Sequence, residues 1–206
     1  MKKKFIRYSD NKIVIVKKAW IILFVFIIGC SKSGKYHSLR WSVGQWVSYK
    51  INDKPIRVSI VGRESSNKAE DTLSLYWVET VEPELVVKVL VEEGKLDKAR
   101  KLIIKKVSEA PFEVQVDNFH IKSEFPSLST SELGKEELLT LPCGKFRVFH
   151  KKENGEDVWL SNKVPIFGIV KYKSKNKEIV LWDYGIKGAK SEIKGEVKIV
   201  HLEEAS

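Results

Sequence analysis

Between Trp41 and the carboxyl end, apolar and polar residues alternate with period two, and the alternation is broken at short intervals by turn residues. Val47, Tyr49 and Ile51 alternate with Trp46, Ser48 and Lys50, and Asn52-Asp53-Lys54-Pro55 follows as a turn. Leu73, Leu75 and Trp77 alternate with Thr72, Ser74 and Tyr76 after the polar stretch Ser65–Asp71, which reads as a loop. Phe146, Val148 and His150 alternate with Lys145, Arg147 and Phe149, and Asn154-Gly155 marks the tip of a hairpin returning through Asp157–Leu160. Successive side chains on a strand point to opposite faces, so such a chain buries one face of a sheet and wets the other. Val58 with Ile60, Leu85–Val91, Ile166–Tyr172, Glu178–Asp183 and Glu196–Leu202 read the same way, giving about ten strands. Strands this short and this numerous predict an antiparallel sheet that curls on itself.

Two segments point to short helices. Leu96, Ala99, Leu102 and Ile103 recur at helical spacing within Lys95–Val107, where Lys, Ala, Arg and Leu all favour a helix, although Leu102-Ile103-Ile104 can equally open a strand. Ser129-Thr130-Ser131-Glu132 has the form of a capping box for one helical turn ended by Gly134. The expected class is therefore mainly β: a curved antiparallel sheet or half-open β-barrel with one or two short helices, preceded by a signal peptide.

That signal peptide is read from the amino-terminal segment. Residues 1–18 are basic and polar, and Ala19 to Gly29 form an unbroken apolar run of eleven residues. As a helix this run spans about 16 Å, roughly half a bilayer's hydrocarbon core, so it suits a signal-peptide core better than a membrane span. It ends in Ile27-Ile28-Gly29-Cys30, which resembles the bacterial lipobox: a branched apolar residue, a tolerated second residue, a small residue, then cysteine. The resemblance implies cleavage before Cys30, diacylglycerol on its thiol and acylation of the new amino terminus. Two or more acyl chains hold stably where one holds only marginally. The expected organisation is a signal peptide over 1–29, a lipidated cysteine and flexible tether over 30–40, and a β-rich domain over 41–206. Ser31 stands where an aspartate resembles an inner-membrane retention signal. In a cell with two membranes, the expected address is therefore the periplasmic face of the outer membrane.

Charge argues the same way. The formal net charge is +10, but seven cations against Asp10 give residues 1–29 a net +6, leaving +4 on the remaining 177 residues. Such a mixed surface confers solubility and mild attraction to anionic headgroups; no nucleic-acid recognition motif accompanies it.

The residues that could carry chemistry are scattered. His37 lies in the tether, while His120, His150 and His201 lie in or beside separate strand-like segments, and none falls in a close metal pattern. Glu92-Glu93, Glu136-Glu137 and Glu203-Glu204 are sequence neighbours, which a strand sends to opposite faces. Cys143 has no partner if Cys30 carries lipid, and reads as a buried small apolar residue. Asp157 near Trp159 and Asp183 near Trp182 would suit sugar stacking, but serve equally as strand-end packing. No catalytic nucleophile elbow, phosphate-binding loop or CxxC pair is present. A hydrolase would require one of the strand-borne histidines to meet a carboxylate in a cleft.

In the carboxyl half, Cys143-Gly144-Lys145-Phe146, Trp159-Leu160-Ser161, Val164–Lys171, Leu181, Tyr184-Gly185 and Gly188-Ala189-Lys190-Ser191 occur in an order that resembles uncharacterised bacterial envelope proteins with a fold similar to the lipoprotein-sorting (Lol-type) carrier and receptor. The likeness covers about residues 136–193. It implies a half-open barrel whose concave side accepts acyl chains. The expected function is thus non-enzymatic: an anchored lipoprotein binding an acyl chain, lipid or lipoprotein segment without a cofactor, with Leu75, Trp77, Val89 and Phe146 lining the cavity. The alternative is a structural or assembly lipoprotein that docks an envelope protein through its sheet edge or surface.

Overall fold

A computed structural model describes residues 39–68, 71–93, 95, 98–114, 119–120 and 134–200. The signal segment, Cys30 and the capping box of Ser129–Glu132 lie outside the described residues. Fourteen strands are present: β1 (Trp46–Ile51), β2 (Lys54–Lys68), β3 (Asp71–Val81), β4 (Leu85–Glu92), β5 (Lys98–Ala99), β6 (Lys101–Lys106), β7 (Phe112–Val114), β8 (Phe119–His120), β9 (Lys135–Leu141), β10 (Gly144–Glu153), β11 (Glu156–Leu160), β12 (Ile169–Lys173), β13 (Glu178–Gly185) and β14 (Lys198–Val200). Twelve of them form one sheet in the order β14-β7-β6-β4-β3-β2-β1-β13-β12-β11-β10-β9, and β5 pairs with β8.

The sheet is curved and unclosed, as the alternation predicts, with three corrections. Residues 98–107 of the expected helix Lys95–Val107 are strand and turn, and the described residues contain no helix. Instead β6 pairs with β4 through Leu85↔Lys106 to Leu90↔Lys101, and Leu102, Ile103 and Ile104 are all buried. Pairing along the edge of β4 outweighs a helix propensity of a few tenths of a kcal/mol per residue. The polar stretch Ser65–Asp71 is strand at its described residues: β2 runs to Lys68 and β3 starts at Asp71, in register as Lys68↔Asp71. The last strand is not antiparallel, because β14 lies parallel to β7.

Two hairpins follow from backbone chemistry. Asn52 and Asp53 take φ 44° and 68° between β1 and β2, and Asn154 and Gly155 take φ 52° and 81° between β10 and β11. Two-residue turns with positive φ at both positions match strand twist, and Asn, Asp and Gly accept that region best. Irregular register at Ser48/Tyr49, Ile60/Gly62 and Trp159/Leu160 marks bulges, which bend strands and sharpen twist.

The inner face carries the core. Val47, Tyr49, Ile51, Ile56, Val58, Ile60, Val78, Val87, Val89, Leu102 and Ile104 from one half join Val158, Leu160, Ile169, Tyr172, Ile179 and Leu181 from the other. Burying each such side chain contributes about 1.5–3 kcal/mol before entropy. The Tyr49 hydroxyl donates to the Ile169 carbonyl at 3.1 Å, tying β1 to β12 beneath the sheet.

Candidate functional site

The inner face is covered from two sides within the described residues. Trp41, just ahead of β1, packs edge-on against Tyr76 with ring centroids 5.7 Å apart. Its backbone N–H donates to Glu93 at 2.8 Å, and its indole N–H to the Ile166 carbonyl at 3.3 Å. The loop between β11 and β12 buries Val164, Ile166 and Phe167 against the same core. Ile166 has φ 67° and sits between a Phe167 N–H and the Pro165 carbonyl 2.8 Å apart, which is a γ-turn. For a β-branched residue this conformation costs of order 1–3 kcal/mol and persists only because the packing around it is tight. The alternation through Ile166–Tyr172 reads as a single strand, yet β12 starts only at Ile169.

The four expected lining residues do not share a surface. Val89 and Phe146 belong to the inner core and are 3% and 1% exposed. Phe146 also meets Tyr184 at 5.8 Å between centroids. The register Val78↔Val89 and Trp77↔Leu90 puts Leu75 and Trp77 on the opposite, outer face. There the Trp77 indole donates to Glu64 at 2.8 Å, and the ammonium groups of Lys88 and Lys101 lie 4.9 and 5.9 Å from its ring. Other tryptophans are capped in the same way: Lys50 lies 3.5 Å from Trp182, Arg57 4.5 Å from Trp46 and Lys171 5.7 Å from Trp159. These cation–π pairs occupy ring faces that could otherwise stack on a sugar.

His150 does meet carboxylates. Its Nε2 lies 2.8 Å from Asp157 and its Nδ1 3.6 Å from Glu137, while its ring stacks on Trp159 at 4.3 Å. The Trp159 indole donates to the same Glu137 at 2.6 Å. The hydrogen bond with His150 holds the Asp157 carboxyl below the usual range, with Lys152 adding to it. Both ring nitrogens face carboxylates and one ring face is covered, so the arrangement reads as a fastener between β9, β10 and β11. The Asn154-Gly155 turn makes this contact derivable, because a two-residue turn sets His150 opposite Trp159. His120 lies in β8, while His37 and His201 are outside the described residues.

Glu136 and Glu137 separate as a strand requires, Glu92 and Glu93 separate at the end of β4, and Glu203-Glu204 lies outside the described residues. Glu136 bonds to Arg147 at 3.1 Å, whereas Glu137 turns to Trp159. Glu92 holds Lys95 and Arg100, whose hydrogen bonds lower its pKa, and Glu93 turns to Trp41. The Cys143 thiol lies 3.6 Å from the Leu181 carbonyl, and burial pushes its pKa up, which suits a packing role rather than a reactive thiolate. Among the described residues no three His, Cys, Asp or Glu side chains converge as a metal centre, and no helix is long and apolar enough to cross a membrane.

One residue escaped the sequence reading altogether. Glu79 on β3 is only 1% exposed, and its two oxygens accept hydrogen bonds from the Ser191 hydroxyl at 2.5 Å and the Glu192 N–H at 2.8 Å. Its one sequence signal is a carboxylate set within the apolar pattern of Tyr76–Val81. No protein-family model, curated protein or solved structure matches the chain.

Proposed function

We propose that the chain is a lipid-anchored protein of the bacterial cell envelope, held by a diacylglyceryl group on Cys30. Its sheet is a non-catalytic module that binds an acyl chain, a lipid or a lipoprotein segment on the concave side. The observation that carries this reading is the inner face itself, apolar from β7 across to β11 on a sheet that does not close. These side chains are already buried beneath Trp41 and the loop of Val164–Phe167, so an acyl chain reaches them only where those covers part; ~10 methylenes buried there would release about 8 kcal/mol before ordering costs. Val89 and Phe146 belong to this reading; Leu75 and Trp77, which face away, do not. The Lol-type likeness of residues 136–193 supports the same reading, and Ser31 favours the outer membrane's periplasmic face.

The test is native mass spectrometry of the full chain purified from its membrane, followed by uptake of a fluorescent fatty acid. The expected result is a covalently acylated amino terminus at Cys30 with further, non-covalent lipid, and saturable uptake. An acylated protein that carries no other lipid and takes up no fatty acid overturns the acyl-binding part.

A second reading rests on Leu138, which is 78% exposed on β9, the terminal strand of the sheet. An edge strand with an outward leucine suits docking of a protein partner by strand addition. Replacing Leu138 with lysine would abolish such docking and leave fatty-acid uptake unchanged.

A further inference from the structure

The chain between β13 and β14 crosses the outer face of the sheet. β13 lies beside β1 and β14 lies beside β7, so residues 186–197 pass over the strands between them. The contacts mark the path: Ala189 N–H to the Gly44 carbonyl at 2.9 Å, Ser191 and Glu192 to Glu79, and the Lys105 ammonium to the Glu192 carbonyl at 3.4 Å. The crossing has no regular structure, and its end, β14, pairs with β7 over three residues. Gly188 and Gly195 take φ 96° and 87° on either side of the Glu79 contact, with nothing within 4 Å of where a Cβ would stand.

Glu79 is the one buried carboxylate beneath this strap among the described residues. Its face is fixed by its cross-strand partners Ser59 and Lys88. Leu90 and Ile103 on the same face are 2% and 6% exposed. A carboxylate out of water is held by whatever donors reach it, and here the Ser191 hydroxyl and the Glu192 N–H both come from the strap.

We infer that residues 186–200 form a latched strap, with Glu79 as the latch, that opens as a unit about Gly188 while the rest of the sheet stays folded. Closed, the strap caps the β7 edge with β14 and covers the outer face around Glu79. Open, it bares the backbone edge of Phe112–Val114. Three residues of edge pairing and a few isolated hydrogen bonds place the strap at the low-stability end of the molecule, where local opening precedes global unfolding. Removing the latch therefore shifts the opening equilibrium of this segment and no other.

Amide hydrogen exchange on the full chain tests this, comparing wild type with Glu79→Ala, Glu79→Gln and Ser191→Ala. Losing two hydrogen bonds to a buried carboxyl group should speed exchange in 186–200 roughly tenfold or more. Ser191→Ala should show a smaller increase than Glu79→Ala, and peptides over 46–60 and 169–181 should keep wild-type rates in both. Glu79→Gln keeps the shape and one acceptor oxygen, so it should fall between wild type and alanine. Unchanged exchange in 186–200 for Ser191→Ala and Glu79→Ala overturns the inference. So does equal acceleration in the strap and the sheet, which would show that the segment opens only when the whole molecule does.

Discussion

At the scale of single residues, the charged side chains that matter are those whose partners sit on other strands. Asp157 is held in its ionised form chiefly by the hydrogen bond with His150. A carboxylate whose folded pKa is depressed contributes stability that is present above its unfolded value, near 3.8 here, and is lost as pH falls through the lower folded value. Asp157→Asn should therefore lower Tm at about pH 5–6, and the difference from wild type should shrink toward about pH 3. Thermal unfolding across that range checks it, and a Tm difference independent of pH would mean the pair contributes through packing alone. Glu92, lowered by Lys95 and Arg100, acts in the same direction but stands among exposed partners, where such pairs contribute little. Glu82 acts oppositely: burial raises its pKa, so its ionisation above the ordinary carboxylate range opposes folding.

At the scale of elements, turn chemistry sets register, and register decides which residues meet. Gly155 at φ 81° closes the β10–β11 hairpin that brings His150 to Trp159 and Asp157. Gly155→Val should cost about 1–2 kcal/mol, because a β-branched residue is disfavoured in the left-handed region. Denaturant unfolding should show a lower midpoint with an unchanged slope; an unaltered midpoint would mean the turn adopts another conformation. The same elements show what the sequence makes legible. Strands with one wet face, such as β1, β10 and β13, announce themselves by alternation. β6 does not: Leu102, Ile103 and Ile104 are buried on both faces, which erases the period, and their neighbours favour helix. The direction of β14 is also illegible, since three residues alternate identically whichever way they run. The candidate lining set split because alternation assigns a residue to a face without saying which face is inner. Leu75 and Val89 carry equally good patterns on opposite sides. The γ-turn at Ile166 and the burial of Glu79 depend on contacts more than one hundred positions away in sequence, to Trp41 and Ser191, which local pattern cannot register.

At the scale of the whole molecule, the proposed membrane address raises the question of what would hold a sheet of mixed surface charge there. The proposed cleavage before Cys30 would take the net charge from +10 to +4, spread among lysines and glutamates. Screened over a Debye length of about 8 Å at physiological salt, so dilute a charge cannot supply durable attachment. Several outer-face cations are further committed to tryptophan rings. The proposed attachment therefore falls to Cys30, where each buried methylene contributes about 0.8 kcal/mol and acyl chains add. Wild-type protein should incorporate labelled palmitate, lose Met1 through Gly29 and stay in the membrane fraction through a high-salt wash. Cys30→Ser should remain unlabelled with residues 1–29 intact, since the cleavage implied by the lipobox follows lipid transfer to the thiol. Salt alone discriminates the alternatives: release of the wild-type protein by the wash would mean that surface charge holds it, and that the thiol at position 30 does not.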